Sequence, residues 1–366
     1  MNVTIVGGGV YGVSAALALA ARRHAVTLYE ASDLPGRDAA SRDISKALRA
    51  GYGPDTPTYA PLVAQARARW LDLQARRGRT LYHECGHLAL ATNFRPGFFE
   101  HDGWAWLSAH GHPLERLDPA EAQRRFPALR CHGVAECLFD PLAGWLDPLE
   151  AIAALAAAAE DAGATLRAHA PVDDLAALGG DAVLLAAGAW AARLAPAGRV
   201  PVRPTRQHET FFRPADVAPL AGGRLPLWSL DLALQGWYGF PPAPGGVVKV
   251  ACHLLGPDVD PDVARGGDEA EMRRTEAFVA DRLPALRGAP RDGRACLYAM
   301  TTDGHFLFDA LPPLRPGGPR LFVAGGGSGH GFKFGPLLGE WAADLVEGAP
   351  VPAPFRAARP GVGRVI

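Results

Sequence analysis

The sequence predicts an α/β plus α+β protein: a Rossmann-like nucleotide-binding domain interrupted by a second domain built on a mostly antiparallel sheet. Three observations predict it. The chain opens on a β-branched strand that runs directly into Gly7-Gly8-Gly9-Val10-Tyr11-Gly12. Two more strand-then-glycine segments, residues 181–190 and 320–331, stand far downstream. Between them lie short apolar or alternating segments broken by proline and glycine, the pattern of antiparallel strands and turns.

Each element follows from its local residues. Val3-Thr4-Ile5-Val6 is a strand, an alanine-rich helix is expected over 10–22, and a second strand over 25–29 ends at Glu30. In that order the G-x-G-x-x-G spacing has a mechanism. Gly7, Gly9 and Gly12 permit the tight turn, and backbone N–H groups at the helix start, around Val10 and Tyr11, can approach a pyrophosphate. Glu30 would accept the ribose hydroxyls of an adenosine, and an acid there disfavours NADP. Residues 181–190 read as a strand entering a small-residue turn, and 320–331 as another, followed by a helix over 336–347. Strands from the beginning, middle and end of the chain thus converge on one nucleotide. That arrangement favours FAD over NAD, because flavoproteins of the glutathione-reductase type assemble their nucleotide domain from separated segments.

The FAD-binding domain is expected to comprise residues 1–75, 145–205 and 310–366, with a substrate domain at 76–144 and 206–309. Strands in the substrate domain are expected at 86–91, 208–213, 237–240, 247–252, 296–301 and 305–309. Helices are expected near 119–125 and 268–282, and an alanine-rich one over 151–161.

Composition bounds the function. A chain of 366 residues with 48% hydrophobic content and a formal charge of −1 is long enough for an ample core and offers no basic surface for nucleic acid. The apolar stretch 3–21 is too short and glycine-rich to span a bilayer, and it lacks the basic start of a signal peptide. Five cysteines without metal-ligand spacing fit a reducing compartment. With no peroxisomal address in the final Gly-Arg-Val-Ile, the expected location is the cytoplasm. Only three of the 37 basic residues are lysines: Lys46, Lys249 and Lys333. Lys249 sits between valines in a strand-like run, and Lys333 between phenylalanines beyond a glycine loop. Such positions suit a compact ammonium with a specific task better than a solvated charge.

Several segments resemble the monomeric sarcosine oxidase and N-methyltryptophan oxidase group of the D-amino-acid-oxidase-like flavoproteins. The resemblance rests on Cys296-Leu-Tyr-Ala-Met-Thr-Thr-Asp-Gly-His-Phe306 and Gly327-Ser-Gly-His-Gly-Phe-Lys-Phe334. It rests also on Tyr238-Gly-Phe-Pro followed by Lys249 and His253, and on Ser41-Arg-Asp-Ile-Ser-Lys-Ala-Leu-Arg-Ala-Gly-Tyr52. It implies FAD attached through Cys296 as a thioether at the 8α-methyl carbon. It implies Lys249 near flavin N5, where positive charge assists reduction of dioxygen. Arg49 and Lys333 would clamp a substrate carboxylate, the arginine as a fork and the lysine as a point charge. Tyr238, His253 and Tyr298 would line the substrate pocket. The cofactor-binding set implied is Gly7, Gly9, Val10, Tyr11, Gly12, Glu30, Ser41, Arg42, Lys46, Val172, Gly188, Trp190, Cys296, Gly327, Gly329, His330, Gly331, Phe332 and Lys333. Arg42 and Lys46 depart from sarcosine-specific members, which carry histidine and arginine there, so a substrate other than sarcosine is expected.

The expected activity is FAD-dependent oxidation of the C–N bond of a secondary amino acid, whether N-alkyl, cyclic or glycated, to an imine. Dioxygen would be reduced to hydrogen peroxide by a monomer that needs no metal and no dedicated general base. Two alternatives stand beside it: a flavin dehydrogenase or desaturase of a cyclic imino acid in a biosynthetic pathway, and a non-catalytic flavin-binding protein.

Overall fold

In the computed structural model the described residues are 1–356 other than Ala197 and Ala264. The C-terminal tetrapeptide and the end of the 310–366 segment lie outside them. Two large sheets organise the chain. The first has six strands in the order Leu307–Leu311, Arg320–Gly325, Ala182–Leu185, Asn2–Val6, Ala25–Tyr29 and Thr165–Arg167. All neighbouring pairs are parallel except the Leu307–Leu311 edge. Parallel strands buried on both faces read as continuous apolar runs, and Ala182–Leu185 is buried at every position. The helix Val10–Ala21 packs against both Pro148–Asp161 and Gly335–Glu347, in one core with this sheet. Asp147 caps the second of these, accepting from the backbone N–H groups of Leu149 and Glu150, with proline at the first helical position.

The second sheet has eight strands: Arg291–Met300, Arg203–Phe212, Val248–Cys252, Trp237–Gly239, Leu227–Leu230, His87–Ala91, Glu136–Asp140 and Glu115–Leu117. Only Leu227–Leu230 with His87–Ala91 is a parallel pair. Its rear face holds Leu88, Leu90, Trp228, Leu230, Val248 and Val250 in a separate core, against which Phe278 of the helix Glu269–Arg282 packs. Side chains alternate between faces along a strand, so the front face receives His87, Ser229, Tyr238, Lys249 and Glu209. A small third sheet of Lys46–Leu48, Gly144–Leu146 and Tyr82–Glu84 sits between these two: Leu48, Tyr82 and Leu146 join the first core, and Trp145 packs with Leu227 and Phe240.

Two readings of the sequence need correction. The strand expected at 305–309 within the antiparallel sheet is Leu307–Leu311, and it pairs with Arg320–Gly325 at the edge of the parallel sheet. Its alternation suits an edge strand of either sheet, and only the tertiary pairing decides between them. The helix Thr56–Arg77 was not anticipated. Its buried residues Tyr59, Val63, Ala66, Trp70 and Leu73 recur at helical spacing, but arginines and alanines dilute the pattern. The helix has a local consequence: Trp70 donates from Nε1 to the Lys333 carbonyl at 2.6 Å, fixing the backbone beneath that lysine. No helix among the described residues is long and apolar enough to cross a membrane.

Candidate active site

A cleft of about 450 Å³ runs over the C-terminal ends of the parallel strands. Gly7, Gly9, Val10, Tyr11, Glu30 and Ser41 line one part of it. Val172, Gly188 and Trp190 line another, and Lys46, Cys296, Gly327, Gly329, Gly331 and Phe332 a third. Gly12 is not in the wall but lies behind it. A Cβ there would sit 1.8 Å from the Gly7 carbonyl oxygen, so only glycine lets helix and strand pack this closely. Gly9 opens the helix Val10–Ala21 without a side-chain cap, while the Val10 N–H is met by Ser41 Oγ at 3.0 Å. The Glu30 carboxylate accepts from Gly8 N at 2.7 Å and from Ser32 N at 3.1 Å, which fixes it at the cleft wall. Tyr11 Oη is buried with no hydrogen-bond partner among the described residues. A helix start opened by glycine, a fixed acid and a buried hydroxyl without a partner among the described residues fit a dinucleotide with a pyrophosphate and a ribose diol.

A second cavity of about 80 Å³ lies against the front face of the antiparallel sheet. It shares Lys46, Tyr298, Gly329 and Phe332 with the large cleft. Arg49, Tyr238, Lys249, His253, His330 and Lys333 all line it. A Cβ on Gly329, whose φ is +79°, would come within 2.2 Å of the Tyr298 ring, so loop and ring approach only because this residue is glycine.

Arg49 and Lys333 form no ion pair among the described residues; the carboxylate that acts on Arg49 is Glu100, through space. Arg49 follows the strand Lys46–Leu48, its guanidinium hydrogen-bonded to the Gly51 carbonyl and lying 4.9 Å from the Tyr52 ring centroid. Lys333 is 4% exposed and donates to Tyr52 Oη at 2.7 Å and to the His330 carbonyl at 3.1 Å. Burial, and then the Arg49 charge, push the Lys333 ammonium well below the ordinary lysine range. Burial with the charges of Arg49 and Lys333 lowers His253 to about 4, so its imidazole is neutral at pH 7. His253 Nδ1 lies 3.2 Å from Tyr298 Oη. The Cys296 thiol is buried and pushed up to about 11 by desolvation, then by Glu209, against the opposing pull of Lys46 and Arg294.

Lys249 is 1% exposed and fully engaged. Its ammonium donates to Asp43 Oδ2 at 2.5 Å, to the Ser45 carbonyl at 2.7 Å and to Glu209 Oε1 at 3.5 Å. Lys46 meets the same Asp43 oxygen at 2.7 Å, and Arg294 pairs with Glu209 at 2.6 Å. Burial pushes the Asp43 carboxyl up, but Lys249, Lys46 and Arg294 outweigh it and hold the group far below the carboxylate range.

Arg42 differs from its expected position beside the cofactor. Its side chain turns to Asp33, 3.6 Å away, and to the Pro35 carbonyl, and it lines neither cavity. His330 and Lys333, counted with the cofactor, line the smaller cavity only. Asp43, Glu209, Arg294 and Tyr52 were not singled out from sequence. A signal existed for Asp43, three residues before Lys46 within the segment that carried the resemblance. Glu209 and Arg294 come together only through strand pairing.

A separated-segment nucleotide cleft joined to a polar pocket on an antiparallel sheet defines a two-part oxidoreductase architecture. The family model for FAD dependent oxidoreductases matches residues 2–345, and the chain belongs to that family. It is 26% identical to the monomeric sarcosine oxidase of Bacillus sp. (strain NS-129), over 94% of this chain and 92% of the relative. It is 29% identical to the peroxisomal sarcosine oxidase of Mus musculus, over 98% and 96%. Among solved structures, glycine oxidase from Geobacillus kaustophilus superposes with a TM-score of 0.78 at 27% identity, covering 100% of this chain and 98% of that one.

Proposed function

We propose that the protein oxidises the C–N bond of a secondary amino acid, N-alkyl, cyclic or glycated, to an imine that water then hydrolyses. The single observation that carries this reading is the pair Arg49 and Lys333. Burying a cation without a counterion is costly, and buried Lys333 with half-buried Arg49, neither in an ion pair among the described residues, line one cavity that shares four wall residues with the flavin cleft. A substrate carboxylate would relieve both. Arginine would grip it as a fork and Lys333 as a point charge, with Tyr52 Oη already hydrogen-bonded to the ammonium.

FAD, when bound, supplies the two-electron acceptor. The protein's own residues orient and exclude water. Carboxylate docking would turn the amine toward the shared wall at Tyr298 and Gly329, while Tyr238, Tyr298 and neutral His253 surround it. A neutral imidazole adds no positive charge beside an amine that must bind unprotonated. No general base is required, and the rate gain comes from positioning and electrostatics. Electrons then pass to dioxygen, giving hydrogen peroxide, with Lys249 as the buried cation facing the cavity. Cys296, in the cleft wall, is the proposed point of covalent flavin attachment. The proposed division is an FAD part of 1–75, 145–205 and 310–366 and a substrate part of 76–144 and 206–309, acting as a cytoplasmic monomer.

A second reading, a dehydrogenase passing electrons to a carrier, is favoured by one observation: Asp43, Ser45 and Glu209 accept all three of the Lys249 N–H groups. Peroxide formed per amine oxidised in air tests the choice. One per turnover supports the oxidase, and slow reoxidation with little peroxide supports the dehydrogenase.

A further inference from the structure

The reading above uses Lys249 and leaves its partners without a role. Asp43 and Glu209 are each 3% exposed; Glu209 lines the smaller cavity, and Asp43 lies behind it against Lys46 and Lys249. With Lys46, Lys249 and Arg294 they form a cluster of three cations and two carboxylates, one net positive charge. The cluster also ties chain segments together. Lys249 holds the Ser45 carbonyl, and Arg294 Nη1 donates to the Arg42 carbonyl at 2.6 Å. The loop 41–46, which supplies Ser41 to the helix start and Lys46 to the cleft wall, is thereby fastened to two strands of the antiparallel sheet, which Glu209 on the strand between them ties together.

We propose that Asp43 and Glu209 are charge-balancing, positioning residues that hold down the electron affinity of the flavin by cancelling most of the positive charge clustered beside its cleft. Lys46 stands in the wall shared by cleft and cavity, Lys249 in the cavity wall and Arg294 behind them, and three such cations left uncompensated would strongly favour any form of the ring that carries negative charge. Two carboxylates reduce that bias to a single charge and fix where it resides. The effect acts through Lys46, Lys249 and Arg294, since neither carboxylate is in the wall of the larger cleft. The inference rests on the family's FAD occupying that cleft, not on the identity of the amine or of the electron acceptor.

Sulfite is the probe. Its sulfur lone pair adds to the oxidised ring, one S–N bond forms, and the ring takes up the negative charge without any further reactant. Affinity therefore reports the local charge, and no amine or dioxygen enters the assay. The flavin-loaded wild type, Asp43→Asn, Glu209→Gln, Lys249→Met and the double variant Asp43→Asn/Lys249→Met are titrated while bleaching of the visible band is followed. Removing either carboxylate should lower the sulfite Kd by at least about fivefold, and Lys249→Met should raise it by a similar factor. The double variant, which restores one net charge, should return to within about twofold of wild type. Smaller changes in the carboxylate variants, or a double variant that follows Lys249→Met, overturn the proposal. If Asp43→Asn does not yield a folded yellow protein, Glu209→Gln and the double variant decide by the same thresholds. Failure of the oxidase reading would leave these titrations unchanged.

Discussion

Lys333 makes the sharpest prediction at the scale of one residue. Its free ammonium is held well below the ordinary lysine value by burial and then by Arg49, and a docked carboxylate would raise it again. The complex then binds a proton more tightly than the free site. Affinity for a simple carboxylate inhibitor should be constant at pH below the free-site value and weaken by roughly tenfold per pH unit above it. Lys333→Met should abolish that slope. Arg49→Ala should weaken binding by about 1.5–3 kcal/mol while the slope remains, because the lysine still titrates. Inhibitor titrations by flavin difference spectra across pH check both outcomes. Lys249 and Lys333 were legible from sequence because an ammonium inside an apolar run needs a reason. Their environments were not, because Asp43, Glu209 and Tyr52 meet them across 206, 40 and 281 residues of chain.

Glycine and pairing govern the elements. The first strand, its helix and the acid after the second strand were readable because one mechanism dictates all of them. Gly12→Ala should yield folded but colourless protein, since the new methyl group meets the Gly7 carbonyl and disrupts the turn. Visible absorbance of the purified variant, with its circular dichroism, tests this. Strand pairing was less legible. Alternation told which residues share a face, but a rung is set by register. Arg294, Glu209, Ala251, Tyr238 and Ser229 stand on one rung across five strands, and no local pattern in any single strand announces it. The edge strand Leu307–Leu311 went to the other sheet for the same reason.

At the scale of the whole molecule, the buried ion cluster connects the loop behind the flavin cleft with the antiparallel sheet. Asp43 is held far below its ordinary value once the pull of three cations exceeds the cost of burial. Its contribution to stability is present above the ordinary carboxylate value and is lost as pH falls from there toward the folded one. Asp43→Ala should cost about 3–5 kcal/mol at neutral pH, because it strands buried cations, and should flatten the acid limb of the stability curve. Denaturant unfolding at several pH values measures both effects. The two-part architecture was visible in the sequence because three glycine-ended strands flank turn-rich stretches. The joining of its parts was not, since a buried salt-bridge cluster leaves no periodicity.

The most direct measurement of the central claim is anaerobic bleaching of the flavin by matched pairs of amines, each secondary amino acid set against the same amine lacking its carboxylate. The site between Arg49 and Lys333 predicts rapid bleaching by at least one carboxylated member and none by its decarboxylated twin, with the difference lost in Arg49→Ala. Equal bleaching by both members of every pair, or none by any carboxylated amine, would contradict the account.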